Sequence, residues 1–301
     1  MQREAILFTL LSLVCLNAST EALADPYVIG NRYFVPTLLT DDPFVADEIS
    51  TTATRIRTLA SDGSPATEET DIGWEFAKRL TPNLGVEIEQ GYTVLNPAGL
   101  RAQYGFDNIE ATIKYQLYTN IEHELILSAG IEREFGGTGA TRINDTFGTT
   151  EPALYAGKGM GDLPDSLAFL RPLAITGIAD YQIPDRHGPD TPQLLEFGLA
   201  IEYSLRYLEG NVRYLGLPEY IDRLTPVVEI DYTTPASRAG GVGTVGYVAP
   251  GMVYTGNSFD IGVEALIPTT RAAGTNVGVM TMLHLWLDKL SPDLLGRPLW
   301  R

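Results

Sequence analysis

Cysteine is almost absent: one residue, Cys15, in 301, and it falls inside an N-terminal apolar run. A disulfide framework and any thiolate-based catalytic or metal site are thereby excluded from the rest of the chain. Histidine is nearly as scarce, and His123, His187 and His284 are too far apart for metal-ligand spacing. His187 has Asp185 and Asp190 for neighbours in "PDRHGPD" and could with them hold a divalent ion, but we read the stretch as a solvated polar loop. No Gly-x-Ser-x-Gly elbow or His-x-Ser-Asn cluster is present, and no glycine-rich phosphate loop follows a strand and opens a helix. "NDT" at 144–146 fits a glycosylation pattern and is read as chance. No enzyme, catalytic residue, metal or cofactor is expected.

Positive charge is also short. Against 38 Asp and Glu stand 21 Lys and Arg, a net charge of -17, with no basic patch. Nucleic acid is therefore not an expected partner. Beyond residue 24 no run approaches eighteen apolar residues, so no transmembrane helix is expected. A chain of this kind enters a membrane only as a closed β-barrel, because closure alone satisfies every backbone amide in lipid.

The N-terminus points to export. "MQRE" carries an arginine, "AILFTLLSLVCL" is continuously apolar, and Ala22-Leu23-Ala24 before Asp25 is a small-x-small cleavage site. These are the parts of a secretory signal peptide, residues 1–24; as an anchor helix the run is too short. Val14 before Cys15 does not suit a lipoprotein signal. Cleavage would leave 277 residues (301 minus 24) and a charge of -16, since Arg3 leaves with Glu4 and Glu21.

What the chain has in quantity is alternation. In "QLLEFGLAIEYSLRYLEG", Leu195, Phe197, Leu199, Ile201, Tyr203, Leu205 and Tyr207 alternate with Glu196, Gly198, Ala200, Glu202, Ser204 and Arg206. Period two predicts a strand with one apolar and one polar face. Thirteen residues would extend roughly 40 Å, enough to cross a bilayer when tilted. The same repeat runs through "NLGVEIEQGY", "NIEATIKYQLY", "IEHELILSAGIERE", "TPVVEIDY", "SFDIGVEALI" and residues 276–288. Less regular strands fall near 48–59, 70–79, 150–159, 168–181 and 243–254. The sum is an all-β, transmembrane antiparallel β-barrel of about 12 strands, with 10–14 possible.

Connections alternate too. "LTPN", "TN", "GDLPDS" and "TGN" are turns, whereas "LNPAGLRAQYGFD", "GGTGATRINDTFGTT", "IPDRHGPDTPQ", "TTPASRAGGVGT" and "PTTRAAGTN" are long, polar and glycine-rich. Short turns at one end and long loops at the other are the habit of outer-membrane barrels, whose short turns face the periplasm. "EGNVRYLGLPEYIDRL" breaks the rule and is read as a short helix or flap at the periplasmic mouth. Residues 25–47, with Pro26, Pro36 and Pro43, are expected to be an N-terminal periplasmic strap or plug segment. The barrel spans 48–290, and 291–301 is a C-terminal periplasmic tail.

The turn "LTPNLGVEIEQG", the hairpin "KYQLYTNIEHELILSAGIERE" and the ending "HLWLDKLSPDLLGRPLW" together resemble the transporter-like outer-membrane proteins of the family named for the meta-pathway of phenol degradation. The likeness covers about residues 70–301 and lies in turns and strand patterns. It implies passage of small molecules across the outer membrane and carries no catalytic residue.

If the apolar faces meet lipid, the other faces line the lumen. The pore-lining candidates are Glu87, Glu89, Glu110, Lys114, Glu196, Glu202, Arg206, Glu229, Asp231, Glu264, His284 and Trp286. Carboxylates dominate, and in a water-filled pore they favour cations. The same acids could instead be no more than the solvated face of each strand. Tyrosines and Trp74 near strand ends suit an interfacial girdle; Trp286 has lumen parity. The expected function is an outer-membrane channel or passive transporter for small solutes, with outer-membrane lipid and a small-molecule or ion cargo as partners and the oligomeric state open. A plugged barrel with a structural or interaction role, and a soluble secreted β-sandwich, are the alternatives.

Overall fold

The computed structural model describes residues 25–58 and 65–300. The expected signal peptide lies outside the described residues. A two-stranded hairpin comes first, β1 (Val28–Ile29) and β2 (Arg32–Tyr33). The wall follows: β3 (Glu48–Thr58), β4 (Thr67–Thr81), β5 (Leu84–Pro97), β6 (Gln103–Phe106), β7 (Ile109–Asn120), β8 (Leu125–Phe135) and β9 (Thr149–Gly159). It continues with β10 (Leu173–Pro184), β11 (Leu194–Tyr203), β12 (Leu224–Pro235), β13 (Val245–Thr255), β14 (Phe259–Pro268) and β15 (Gly278–Trp286). Every neighbouring pair is antiparallel, and β15 returns to β3 with Leu283 opposite Thr51. The result is a closed barrel of twelve strands. The short β6 stays outside that count, pairing only with the far half of β5 while β7 takes the near half.

Period-two patterning explains the wall, turned inside out relative to a soluble protein. Ile88, Ile113, Leu154, Phe197, Val228, Ile261 and Val263 point outward and are exposed, whereas Glu202, Glu229 and Glu264 point inward and are buried. An apolar outside and a polar inside is the arrangement lipid requires. A sandwich, which would bury the apolar faces against one another, is overturned by this inversion. Strands of 9 to 15 residues are long enough to span. Among the described residues no helix is long and apolar enough to cross a membrane.

Three expected strand bounds are corrected. The strand from Leu194 stops at Tyr203 because the Ser204 hydroxyl accepts a hydrogen bond from the Tyr207 amide at 3.2 Å and caps a helical turn, Leu205–Tyr207. Arg206 therefore leaves the wall, and Tyr207, expected to meet lipid, is buried. The strand expected from 168 begins at Leu173, since Pro164 starts a 3-10 helix, Asp165–Leu170. Leu287 opens a helical turn, Leu287–Leu290, and is buried rather than lipid-facing. Within the long short-turn-end connection, Glu219–Asp222 forms a further helical turn.

Residues 25–47 lie inside the barrel. Phe34, Val35, Phe44 and Val45 are at most 1% exposed. One cluster joins Tyr27, Phe34 and Phe44 to Ile126, Ala174 and Trp286 of the wall; a second joins Val35 and Leu38 to Ala200, Val227, Val253 and Met282. Small inward-facing wall residues make the room: a Cβ on Gly262 would stand 2.5 Å from Leu38 Cδ1, and one on Gly198 would stand 2.6 Å from Thr40 Cγ2. Truncating either buried phenylalanine should cost about 3–5 kcal/mol, a large part of an ordinary stability.

Candidate functional site

The interior is organised by how the 25–47 segment is held. It enters at the short-turn end, where the Tyr27 hydroxyl donates to Asp288 at 2.8 Å and the Tyr27 ring lies 3.6 Å, centroid to centroid, from Trp286. Arg32, 1% exposed, pairs with Glu124 at 3.2 Å, donates to the Pro172 carbonyl at 2.8 Å and sits 4.0 Å over the Tyr207 ring. The chain then climbs to a tip at residues 37–42 and returns to β3. At its exit Asp47 accepts from Lys78 Nζ at 2.5 Å and from the Arg79 amide and Nε at 2.8 Å each. Lys78 also donates to the carbonyls of Leu295 and Arg297, tying in the C-terminal tail.

The tip is fixed to two strands. Glu229, fully buried between Ala200 and Ala249, accepts from the backbone amides of Leu38, Leu39 and Thr40 at 2.6, 2.9 and 2.7 Å and from the Thr40 hydroxyl at 3.0 Å. Three successive amides around one carboxylate satisfy a charge that would otherwise be costly to bury. On the opposite wall Lys114 bridges Asp41 at 2.9 Å and Glu87 at 3.1 Å, with Tyr155 4.6 Å beneath its ammonium. Glu202 accepts from the Val35 amide at 3.4 Å.

Beside the tip, from Glu48 and His284 toward Asp107 and Asn144 at the long-loop end, a cavity of about 490 Å³ remains. Asp41, Asp42, Glu48 and Glu75 line it, as do Glu89, Asp107, Glu110 and Glu132, and among the described residues no Lys or Arg does. A second cavity of about 210 Å³ shares Leu39, Asp41 and Glu132 with the first and adds Glu151, Asp180 and Glu196, again without Lys or Arg. Below the tip a third, of about 300 Å³, is bordered by Tyr33, Arg206, Tyr207, Trp286 and Lys289. Burial raises the Asp107 carboxyl above its usual value, against the hydrogen bonds from Thr93 and Asn144. At the other end burial pushes Asp288 up to about 6, against the Tyr27 hydroxyl and with Asp25 adding to the rise.

The twelve pore-lining candidates thus separate into groups. Glu89, Glu110 and His284 border the large cavity and Glu196 the adjoining one. Glu87, Lys114, Glu202 and Glu229 face inward but are spent on holding the segment or pairing with each other. Asp231 and Glu264 face inward and are buried, with Asp231 Oδ2 and both Glu264 oxygens lacking a hydrogen-bond partner among the described residues. Trp286 is buried at the short-turn end, donating to Asp260 at 2.6 Å and to the Tyr33 hydroxyl at 3.0 Å. Arg206 is not in the wall at all: it is exposed on the helical turn and borders the lower cavity. Missing from the candidates are Glu48, Glu151 and Asp180. Their strands have weak alternation, and Tyr155 and Ile178 sit on the inward face beside them; parity carried across from neighbouring strands would have placed them.

One constellation looks catalytic and is not assembled. His284 lies across the strand pair from Ser50, and its Nε2 is 3.0 Å from Glu48 Oε2. Among the described residues its Nδ1 has no partner, so the serine–imidazole hydrogen bond that activates a nucleophile is not formed there. Asp185 is held by Arg133, with Nη1 to Oδ1 at 2.9 Å. Among the described residues no group of three or more His, Cys, Asp or Glu is placed to hold a metal ion.

The fold is that of outer-membrane β-barrels. The chain is similar in fold to an outer membrane channel from Pseudomonas putida F1, with a TM-score of 0.55, 11% identity, and coverage of 80% of this chain and 95% of that one. A KdgM porin matches with a TM-score of 0.48 and 10% identity over 79% of this chain and 98% of that one. A KdgM porin in complex with disordered oligogalacturonate gives 0.46 and 10%, with the same coverages. No family model and no curated protein matches the sequence.

Proposed function

We propose that the protein is an outer-membrane channel or passive transporter for small solutes, whose interior favours cations and whose conductance is limited by residues 25–47. The observation that carries this reading is the pair of adjoining cavities lined by carboxylates and, among the described residues, by no Lys or Arg. In a low-dielectric wall such a lining concentrates counter-ions and repels anions. By the usual placement of loops, the acidic chamber faces the cell exterior, and both the 25–47 segment and the 291–301 tail belong to the periplasmic side. The fold shared with the Pseudomonas putida channel and the resemblance to the meta-pathway family support solute passage as the function.

A second reading is favoured by the segment itself. It occupies much of the half of the barrel nearest the short turns, leaving a cavity of about 300 Å³ there, as a plugged barrel with a structural or loop-binding role would require. Planar-bilayer recording of refolded protein lacking residues 1–24 separates the two. A stable stepwise current supports the channel; inserted, folded protein that never conducts supports the plug.

A further inference from the structure

We infer that the short-turn rim of the barrel carries an interfacial shelf, made by Asp165–Leu170, residues 212–221 and the end of the C-terminal tail, which docks on anionic phospholipid headgroups of the adjoining leaflet. Such docking goes beyond solute passage and does not depend on it.

Three observations converge on a lipid surface. The first is exposed apolar area outside the wall strands. Phe169 is 55% exposed, Tyr214 84%, Tyr220 65% and Trp300 61%, with Leu170 and Leu215 exposed beside them. Apolar surface of this kind marks a contact with a partner or a membrane. Tyrosine and tryptophan are the residues that settle at headgroup level, one end apolar and the other wet.

The second is continuity with the lipid-facing wall. Tyr203 shares the outward face of β11 with Phe197, Leu199 and Ile201, and its hydroxyl donates to the Phe169 carbonyl at 3.1 Å. The 3-10 helix therefore sits against the outside of the barrel and not across its mouth. Elsewhere on the rim the Leu299 amide donates to the Arg79 carbonyl at 3.2 Å and the Trp300 amide to the Leu80 carbonyl at 2.8 Å, which ties the tail to the end of β4. β4 and β10 stand five inter-strand steps apart in a wall of twelve, on nearly opposite sides. A single protein partner would have to wrap the barrel to cover both parts, whereas a leaflet meets both at once.

The third is charge. Arg213 directly precedes Tyr214, and Arg297 stands two residues before Leu299. Both arginines are exposed, and neither makes an ion pair among the described residues. Glu209 is turned instead to the Leu215 and Leu217 amides, at 3.0 and 3.1 Å, and Glu219 pairs with Arg223 at 2.6 Å. Guanidinium groups interleaved with aromatic and leucine side chains fit an anionic headgroup layer, the cations meeting phosphate and the apolar groups the acyl boundary.

The test uses refolded residues 25–301 in lipid nanodiscs, which leave both faces open to solvent. Single cysteines, Phe169→Cys and Tyr214→Cys on the shelf and His187→Cys in a long loop, carry a fluorescent label that is quenched by headgroup spin-labelled lipid or by iodide in solution. In phosphatidylglycerol discs the labels at 169 and 214 should be quenched by lipid and shielded from iodide, and the label at 187 should behave in the opposite way. Arg213→Gln with Arg297→Gln should lower the lipid quenching at 214, the docked-to-free ratio falling about fivefold for each arginine. Exchange of phosphatidylglycerol for phosphatidylcholine should lower it as well, without any change to the arginines. Iodide quenching at 169 and 214 without lipid quenching would overturn the shelf and leave the patch to a soluble partner or a second copy. Lipid quenching that is equal in both lipids and indifferent to the arginines would overturn the anionic headgroup as the group recognised.

Discussion

Glu229 accepts the Leu38 backbone amide at 2.6 Å, and with it the two amides that follow, so that one wall carboxylate holds the tip of the internal segment. The contact joins residues 191 positions apart and is fully buried. Glu229→Gln keeps the shape and removes the charge. Loss of charge assistance should cost the docked tip about 2–3 kcal/mol. In a Leu39→Cys background, maleimide labelling should accelerate by about tenfold or more; an unchanged rate would mean that the tip is held elsewhere.

A reversible tether tests whether the segment limits flow. A Cβ built on Gly262 would lie 3.2 Å from Leu38 Cγ, the position a cysteine sulfur would take, so Leu38→Cys with Gly262→Cys is within bridging range. Cys15 is the one native cysteine and lies in the residues removed for refolding, so no other thiol competes. The oxidised variant should conduct less than the reduced one, with recovery on adding dithiothreitol. Equal currents in both states would free the segment from any gating role.

Asp288 gives a pH dependence with a defined sign. Its carboxyl is pushed up to about 6 in the folded protein from 3.8, so between those values the folded state binds more proton than the unfolded one. Stability contributed by this group is therefore present at low pH and lost as pH rises from about 4 to about 6. Asp288→Asn should flatten that part of the unfolding-midpoint profile in urea. A variant profile parallel to the unmutated one would assign the slope to other groups.

Much of the wall was legible because lipid imposes a strict rule. Leu84, Val86 and Ile88 against Glu87 and Glu89, or Phe259, Ile261 and Val263 against Asp260 and Glu264, could alternate for few other reasons, and each of the twelve wall strands overlaps an expected one, with the bounds of three of them shifted. The interior was less legible, because parity says which way a side chain points and nothing about what it meets. Glu202 and Glu229 point inward as expected but meet the backbone of residues 35–40 rather than an open lumen. The clue lay in the apolar pairs Phe34-Val35, Leu38-Leu39 and Phe44-Val45, set in a segment with no strand period, together with glycine and alanine at inward positions such as Gly198, Ala200 and Gly262. Arg206 was misplaced because a capping serine ends a strand without disturbing its alternation.

The carboxylates that remain open should carry the ion preference. Glu89→Gln, Glu110→Gln and Glu132→Gln together should move the reversal potential toward zero, by on the order of 10 mV in a tenfold salt gradient. The matched triple change Glu202→Gln, Asp231→Asn and Glu264→Gln, at inward residues that line neither chamber, should move it less. Equal shifts from both would mean that net charge, rather than the chamber lining, sets the preference.

The most direct single measurement is the reversal potential of the unmutated barrel in a planar bilayer under a tenfold potassium chloride gradient. A current that reverses on the potassium side of zero, up to about 59 mV for ideal selectivity, is expected of an acidic chamber in the conducting path. A reversal at zero or on the chloride side, from a barrel that conducts, would contradict it.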